Sequence, residues 1–153
     1  MTARATGAPK SRATRIEVAV GGIAFDEAGR VLLIQRGQPP SEGMWTVPGG
    51  RVELGERMRD ACARELLEET GLVVEAGPVV ETLERIGPIE AGQPAYHFVI
   101  VDFLVWVRGG ELSPASDVRD ARYLARDELS ALPLTDGLLP VLDAAWRLRR
   151  AGS

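Results

Sequence analysis

The run Ala95 to Val107, AYHFVIVDFLVWV, is the strongest constraint on the fold. It is apolar at both odd and even positions, and so it reads as a strand buried on both faces. A strand of that kind needs a partner strand on each edge and a covering layer on each side. The rest of the chain supplies them. Ile16 to Phe25 and Arg30 to Arg36 are β-branched and apolar, and the turn Asp26-Glu-Ala-Gly29 separates them, so a hairpin is expected. Trp45 to Val47 is a short extended piece stopped by Pro48-Gly49-Gly50. Leu72 to Ile86 is extended with a break at Gly77-Pro78. Arg108-Gly-Gly110 reads as a turn and Arg122 to Ala125 as a short strand. Helices are expected over Met58 to Thr70, with Gly71 just past the end, and from Thr135–Leu139 to about Arg150. Pro140 is tolerable only in the first turn of the latter. Arg126 to Leu132 is a helical turn. Strands, a helix, strands and a helix make an α/β (α+β) fold, a mixed β-sheet sandwiched between helices, not a series of βαβ units.

The 153 residues fit one domain, expected over 15–151 and preceded by a disordered tail over 1–14. That tail is basic and without acids, as in a transit peptide, but it lacks the apolar stretch of a secretory signal. No run approaches the roughly 20 apolar residues of a membrane span. With a single cysteine, Cys62, no internal disulfide can form, and a cytoplasmic protein is expected. Cys62 reads as a small buried apolar residue and His97 as a packed or rim histidine. The net charge of −4 gives no general attraction to nucleic acid or to a membrane surface.

The chemistry lies in Gly50 to Leu72, GRVELGERMRDACARELLEETGL. Glu65, Glu68 and Glu69 stand at i, i+3 and i+4, within one arc of roughly 100° on a helix. Like charges so placed repel, and hard cations such as Mg²⁺ or Mn²⁺ would relieve the repulsion. Arg64, four residues before Glu68, can brace that carboxylate. Ala61 is a small residue on the acidic arc, open to the approach of a backbone or ligand, while Cys62, Ala63 and Leu66 form an apolar arc. Ahead of the helix, Gly49 and Gly50 permit close backbone approach, and Glu53 and Glu56 add carboxylates. A Glu- and Arg-rich helix alone is ordinarily a solvated face. Five carboxylates within seventeen residues, on a glycine loop and the helix after it, resemble a multi-metal phosphate site.

The whole segment resembles the signature of the Nudix hydrolase family, G-x5-E-x7-R-E-u-x-E-E-x-G-u with u aliphatic. Gly50, Glu56, Arg64, Glu65, Leu66, Glu68, Glu69, Gly71 and Leu72 all match it. The resemblance implies metal-dependent hydrolysis of a diphosphate linkage in a nucleoside diphosphate joined to another moiety. It implies that Glu68 and Glu69 are metal ligands, with the Gly49 carbonyl beside them. Glu65 would bind metal or orient the attacking water, and Arg64 would brace the set. Glu53 and Glu56 would bind metal directly or through water. Asp117, ahead of Asp120, would be the acid from a later loop. Catalysis would rest on Glu65, Arg64 and Glu69, without a covalent intermediate, since no Ser–His–Asp set is in view. Which carboxylate acts as base is left open, as is the number of metal ions.

Members that cleave ADP-ribose carry a proline about fifteen residues past the signature, and Pro88 lies sixteen past Leu72, though Gly87-Pro88 is also an ordinary turn. An ADP-ribose-type substrate is therefore the first expectation. A housecleaning nucleoside triphosphate pyrophosphohydrolase is the second, and a non-catalytic nucleotide-sensing module the third. Trp45, Tyr96 and Phe98 are candidates to stack on a base, Trp45 first because it borders the glycine loop. Arg36 and Arg51, with Gly50, are candidates to meet the phosphates. Many members of the family pair through sheet and helix surfaces, so a homodimer is compatible with the resemblance.

Overall fold

The computed structural model describes residues 12–152. The strands are β1 (Glu17–Ile23), β2 (Val31–Arg36), β3 (Trp45–Thr46), β4 (Gly49–Arg51), β5 (Leu72–Ile86), β6 (Ile89–Glu90), β7 (Gln93–Pro94), β8 (His97–Gly110) and β9 (Val118–Leu124). The helices are α1 (Met58–Thr70) and α2 (Leu138–Ala151), with a 3-10 turn over Arg126–Ala131. A four-stranded sheet has the order β4-β1-β8-β5, and a three-stranded sheet the order β9-β2-β3. β1 and β8 are parallel and the other ladders antiparallel, so the larger sheet is mixed. β8, the apolar run, lies inside that sheet between β1 and β5, as a strand buried on both faces requires.

Alternation along each strand feeds two cores. Leu32 and Ile34 of β2 join Val20, Val101, Phe103 and Val105 beneath Ala61, Cys62 and Leu66 of α1. Val31 and Leu33, on the opposite side of β2, join Ile23, Trp45 and Leu124 against Leu138, Val141, Leu142 and Ala145 of α2. The sheets are thus sandwiched between the two helices. No helix among the described residues is long and apolar enough to cross a membrane.

Three local expectations are corrected. β1 and β2 do not form a hairpin. The Phe25–Val31 bridge and the bonds from the Leu32 N–H to the Ala24 carbonyl and from the Asp26 N–H to the Arg30 carbonyl join them next to the turn, and beyond it each enters a different sheet. Both strands are buried on both sides, and separate sheets give each the partners it needs. Arg108-Gly-Gly110 is not a turn. β8 runs through it, because Gly109 and Gly110 pair with Val73 and Leu72. β9 begins at Val118, four residues before the expected Arg122, since pairing with β2 extends to Arg36. The break at Gly77-Pro78 is an irregularity within β5, where the register shifts between Ala76 and Val79. Residues 1–11 of the expected tail lie outside the described residues, whereas Arg12 donates to the Pro88 carbonyl and the Ala13 N–H to the Pro94 carbonyl.

Leu66 is fully buried where α1 meets the sheet. Replacing Leu66 with Ala is expected to cost about 2–5 kcal/mol. This would appear as a lower urea midpoint at an unchanged denaturant slope, and no shift in midpoint would contradict the packing described.

Candidate active site

The end of α1 dictates the site. Gly71 takes the left-handed conformation (φ 78°), and its N–H closes the helix on the Leu67 carbonyl. The last helical carbonyls still need donors. The Ala115 N–H donates to the Glu69 carbonyl at 3.2 Å and the Ser113 N–H to the Thr70 carbonyl at 2.8 Å. The loop before β9 is thereby tied to the helix end, and its Asp117 comes within electrostatic range of Glu65 and Glu69. No basic residue occupies the last turn of α1. Glu68 and Glu69 instead stand at the negative end of the helix dipole, an arrangement that favours a bound cation.

The glycine loop meets the helix from the other side. The Gly49 N–H donates to Glu69 Oε1 at 2.9 Å. A Cβ on Gly50 would lie 2.4 Å from the Glu65 carboxyl carbon, so the Glu65 carboxylate occupies the space that any side chain at position 50 would need. The loop is held in turn by Pro133 and Thr135. The Pro133 carbonyl accepts from the Trp45 N–H at 2.8 Å, and the Thr135 hydroxyl lies 3.0 Å from that of Thr46.

Arg64 is the hub of the cluster. Its guanidinium donates to both oxygens of Glu56 (2.7 and 2.9 Å), to Glu65 (2.9 Å), to the Arg51 carbonyl (3.1 Å) and, at longer range, to Glu68 (3.3 Å). The expected contact of Arg64 with Glu68 is present, but Glu68 is half exposed and the bidentate pair goes to Glu56 on the loop. That pair holds the Glu56 carboxyl down at about 2. Burial has the opposite effect on the other two glutamates. It raises Glu65, and it pushes Glu69 up to about 7, with Glu65 and Asp117 adding repulsion against the Gly49 N–H.

The remaining expected residues are distributed as follows. Arg36, Glu69 and Asp117 line a small depression with Ile34, Gly37, Gln38 and Val118. Arg51 is exposed and pairs loosely with Glu17 at 3.4 Å. Glu53 is exposed, and its backbone N–H is bound by Glu56 Oε1. Asp120 pairs with Arg122 at 2.8 Å. Trp45 presents no open face, being 4% exposed in the second core with Arg122 over its ring. Tyr96 lies at the start of β8, its ring 5.9 Å from that of Phe98. Ala61 is fully buried beneath the helix and is not open to a ligand, because the Glu65 side of α1 faces the sheet at Gly50. Cys62 is buried as expected, and burial pushes its thiol up to about 12, so it is no nucleophile. His97 is half-buried at the start of β8, 3.6 Å from Glu84.

Among the described residues no three acidic, His or Cys side chains stand close enough to cage an ion as they are. The donor chemistry nevertheless fits a hard cation. Glu65, Glu69 and Asp117 are oxygen donors that repel one another, and two of them are poorly solvated.

A glycine loop and an acidic helix thus meet on a mixed sandwich. Residues 15–145 match the NUDIX domain family, and the chain belongs to it. Among curated relatives, an ADP-ribose pyrophosphatase of Methanocaldococcus jannaschii is 36% identical over 75% of this chain and 65% of its own length, so the match leaves about a third of that protein uncovered. The CTP pyrophosphohydrolase of Escherichia coli K12 is 33% identical over 89% of this chain and 95% of its own. The crystal structure of an ADP-ribose pyrophosphatase from Streptococcus suis 89-1591 superposes with a TM-score of 0.69 at 27% identity, covering 88% of this chain and 92% of that one.

A carboxyl raised above its unfolded value binds protons more readily when folded, so stability falls as pH rises through the window between the two values. Without metal, the protein is expected to melt at lower temperature as pH rises from about 4.5 to about 7. Glu69→Gln should flatten that fall in part, leaving the contributions of Glu65 and the buried Asp102. A wild-type melting temperature that climbs across this window would contradict the buried, repelled state of Glu69.

Proposed function

We propose that this chain hydrolyses a diphosphate linkage in a nucleoside diphosphate joined to another moiety, with ADP-ribose or a related nucleotide sugar as substrate. The observation that carries the reading is the placement of Glu65 and Glu69 against the Gly49–Gly50 backbone, with Asp117 in electrostatic range of both and Arg36 sharing a depression with Glu69 and Asp117. Glu69, Glu65, Glu68 and Asp117, with the Gly49 carbonyl, would hold Mg²⁺ or Mn²⁺, and Glu53 and Glu56 would stand in reserve on the loop. When bound, the metal lowers the pKa of water and neutralises charge on phosphate oxygens.

The chain's own groups do the rest. Arg36, in the depression it shares with Glu69 and Asp117, offers a cation to the phosphates. Glu65, held over Gly50 by Arg64, is placed to orient a water and take its proton. Arg64 cannot serve as the proton acceptor, because its three glutamate partners keep it charged. It fixes the carboxylates in register with the loop.

A second reading, a nucleoside triphosphate pyrophosphohydrolase, is favoured by one observation: the match to the CTP pyrophosphohydrolase covers 95% of that protein, against 65% of the M. jannaschii enzyme. A nucleotide-sensing module without turnover is disfavoured, since every carboxylate of the signature is in place.

A nucleotide panel with Mg²⁺ or Mn²⁺, read by mass, tests the proposal. ADP-ribose is expected to give AMP and ribose 5-phosphate, with no reaction in EDTA. Nucleotide binding without any product would count against hydrolysis altogether. Glu65→Gln is expected to leave the protein folded, with a cooperative melting transition, and to lower kcat by about 10²–10⁴-fold. Wild-type turnover in that variant would remove Glu65 from the chemistry.

A further inference from the structure

Asp102 interrupts the apolar core of β8 and is unused by the machinery described above. It is 4% exposed, and its Oδ1 is buried without a hydrogen-bond partner. Burial pushes its carboxyl up to about 6, with Arg85 opposing the rise and Glu81 adding repulsion. Arg85 is itself committed, since its guanidinium donates to the Asp136 carbonyl at 2.8 Å. A buried polar atom left unpaired is costly, and it calls for an explanation outside the packing.

The register supplies one. Asp102 stands opposite Gly21 of β1, and Gly21 stands opposite Gly49 of β4. One transverse row of the sheet therefore runs from the unpaired carboxylate across two glycines to the loop that holds Glu69. The separation is two strand spacings, on the order of 10 Å, which a nucleoside bridges between its base and its phosphates. A Cβ on Gly21 would lie 2.2 Å from Asp102 Oδ1 and 2.9 Å from Val47 Cγ2, so the carboxylate leans over the glycine toward the loop.

On the same sheet face the next position, Ile100, is flanked by Ala19 and Leu83, and the one beyond it, Phe98, by Glu17 and Arg85, all of them only half-buried. Asp102 is thus the inner, polar end of a strip that is apolar around Ile100, carries charged groups at its outer end and runs beside the phosphate loop. Ligand pockets have this composition, apolar walls with a few placed polar groups.

We propose that the Asp102 carboxylate accepts a hydrogen bond from an exocyclic amino group on the base of the bound nucleotide, selecting amino-bearing bases over their oxo counterparts. The inference rests on the nucleotide-hydrolase reading of the neighbouring site and deepens it. An oxo group at the same position would meet a carboxylate lone pair and leave both acceptors unsatisfied, a mismatch that polar sites reject strongly. An Asn side chain can present either its N–H or its oxygen, and so it would not discriminate.

The test uses the whole chain at pH 8, with pairs that differ only in amino against oxo. AMP against IMP and CMP against UMP are measured by calorimetry in EDTA. ADP-ribose against its inosine counterpart, and CTP against UTP, are measured by turnover with Mg²⁺. The amino member is expected to bind about tenfold or more tightly. In Asp102→Asn the ratio should fall below about threefold, in binding and in turnover alike. The melting temperature of the nucleotide-free variant should stay level or rise, because an uncompensated buried charge has been removed.

Equal or absent binding of AMP and IMP by the wild type overturns the assignment, as does an unchanged ratio in the variant. A melting temperature lowered by several degrees also overturns it, since Asp102 would then be holding the fold. Discrimination in binding with no turnover of any nucleotide would sink the hydrolase reading and leave the base-reading role of Asp102 standing.

Discussion

Two carboxylates, Glu65 and Glu69, are pressed against the backbone of Gly49 and Gly50 at the negative end of a helix, and much of the surrounding structure serves to keep them there. Burial, mutual repulsion and the helix dipole all oppose their ionisation. Such a cluster is unfavourable in isolation and becomes favourable when cationic charge arrives. The protein supplies some of that charge through Arg64, which binds Glu56 and Glu65 together, and some through Arg36 across the depression. What remains uncompensated is negative, directed at one small space, and suited to divalent cations bearing a diphosphate.

The fold places this cluster by satisfying backbone donors and acceptors. The orphan carbonyls of α1 recruit the loop over 111–117 and with it Asp117. The Pro133–Thr135 segment pins β3, and β3 leads directly into the glycine loop. The double core, with one side of each strand under α1 and the other under α2, makes the platform on which these carboxylates are held. The same platform accommodates Asp102, a further acid, buried in the row that runs through Gly21 to Gly49.

The helix, its acidic arc and its glycine stop were legible in the sequence, because they depend on local spacing: i, i+3 and i+4 for the glutamates and a left-handed glycine at position 71. The central strand was legible from its unbroken apolarity. The pairing of β1 and β2 was not. A short turn between two β-rich runs looks the same whether the strands pair with each other or part into separate sheets, and only the distant partners β8 and β9 decide. Helical spacing reached only part of the Arg64 network: the contact with Glu68 is there, but the bidentate partner is Glu56, which a loop returns to the helix. Trp45 bordered the glycine loop in sequence yet supports it from inside the core. Asp102 carried a signal that was overlooked, a lone carboxylate in a run otherwise fit for a core strand.

Diffraction from a crystal containing Mn²⁺ and a non-hydrolysable nucleoside diphosphate analogue, collected at the manganese absorption edge, bears most directly on whether these carboxylates gather cations against a diphosphate. The account expects anomalous peaks at coordination distance from Glu69 and Glu65, between them and the phosphates. Manganese bound elsewhere, or a nucleotide seated away from the Gly49–Gly50 loop, would contradict it.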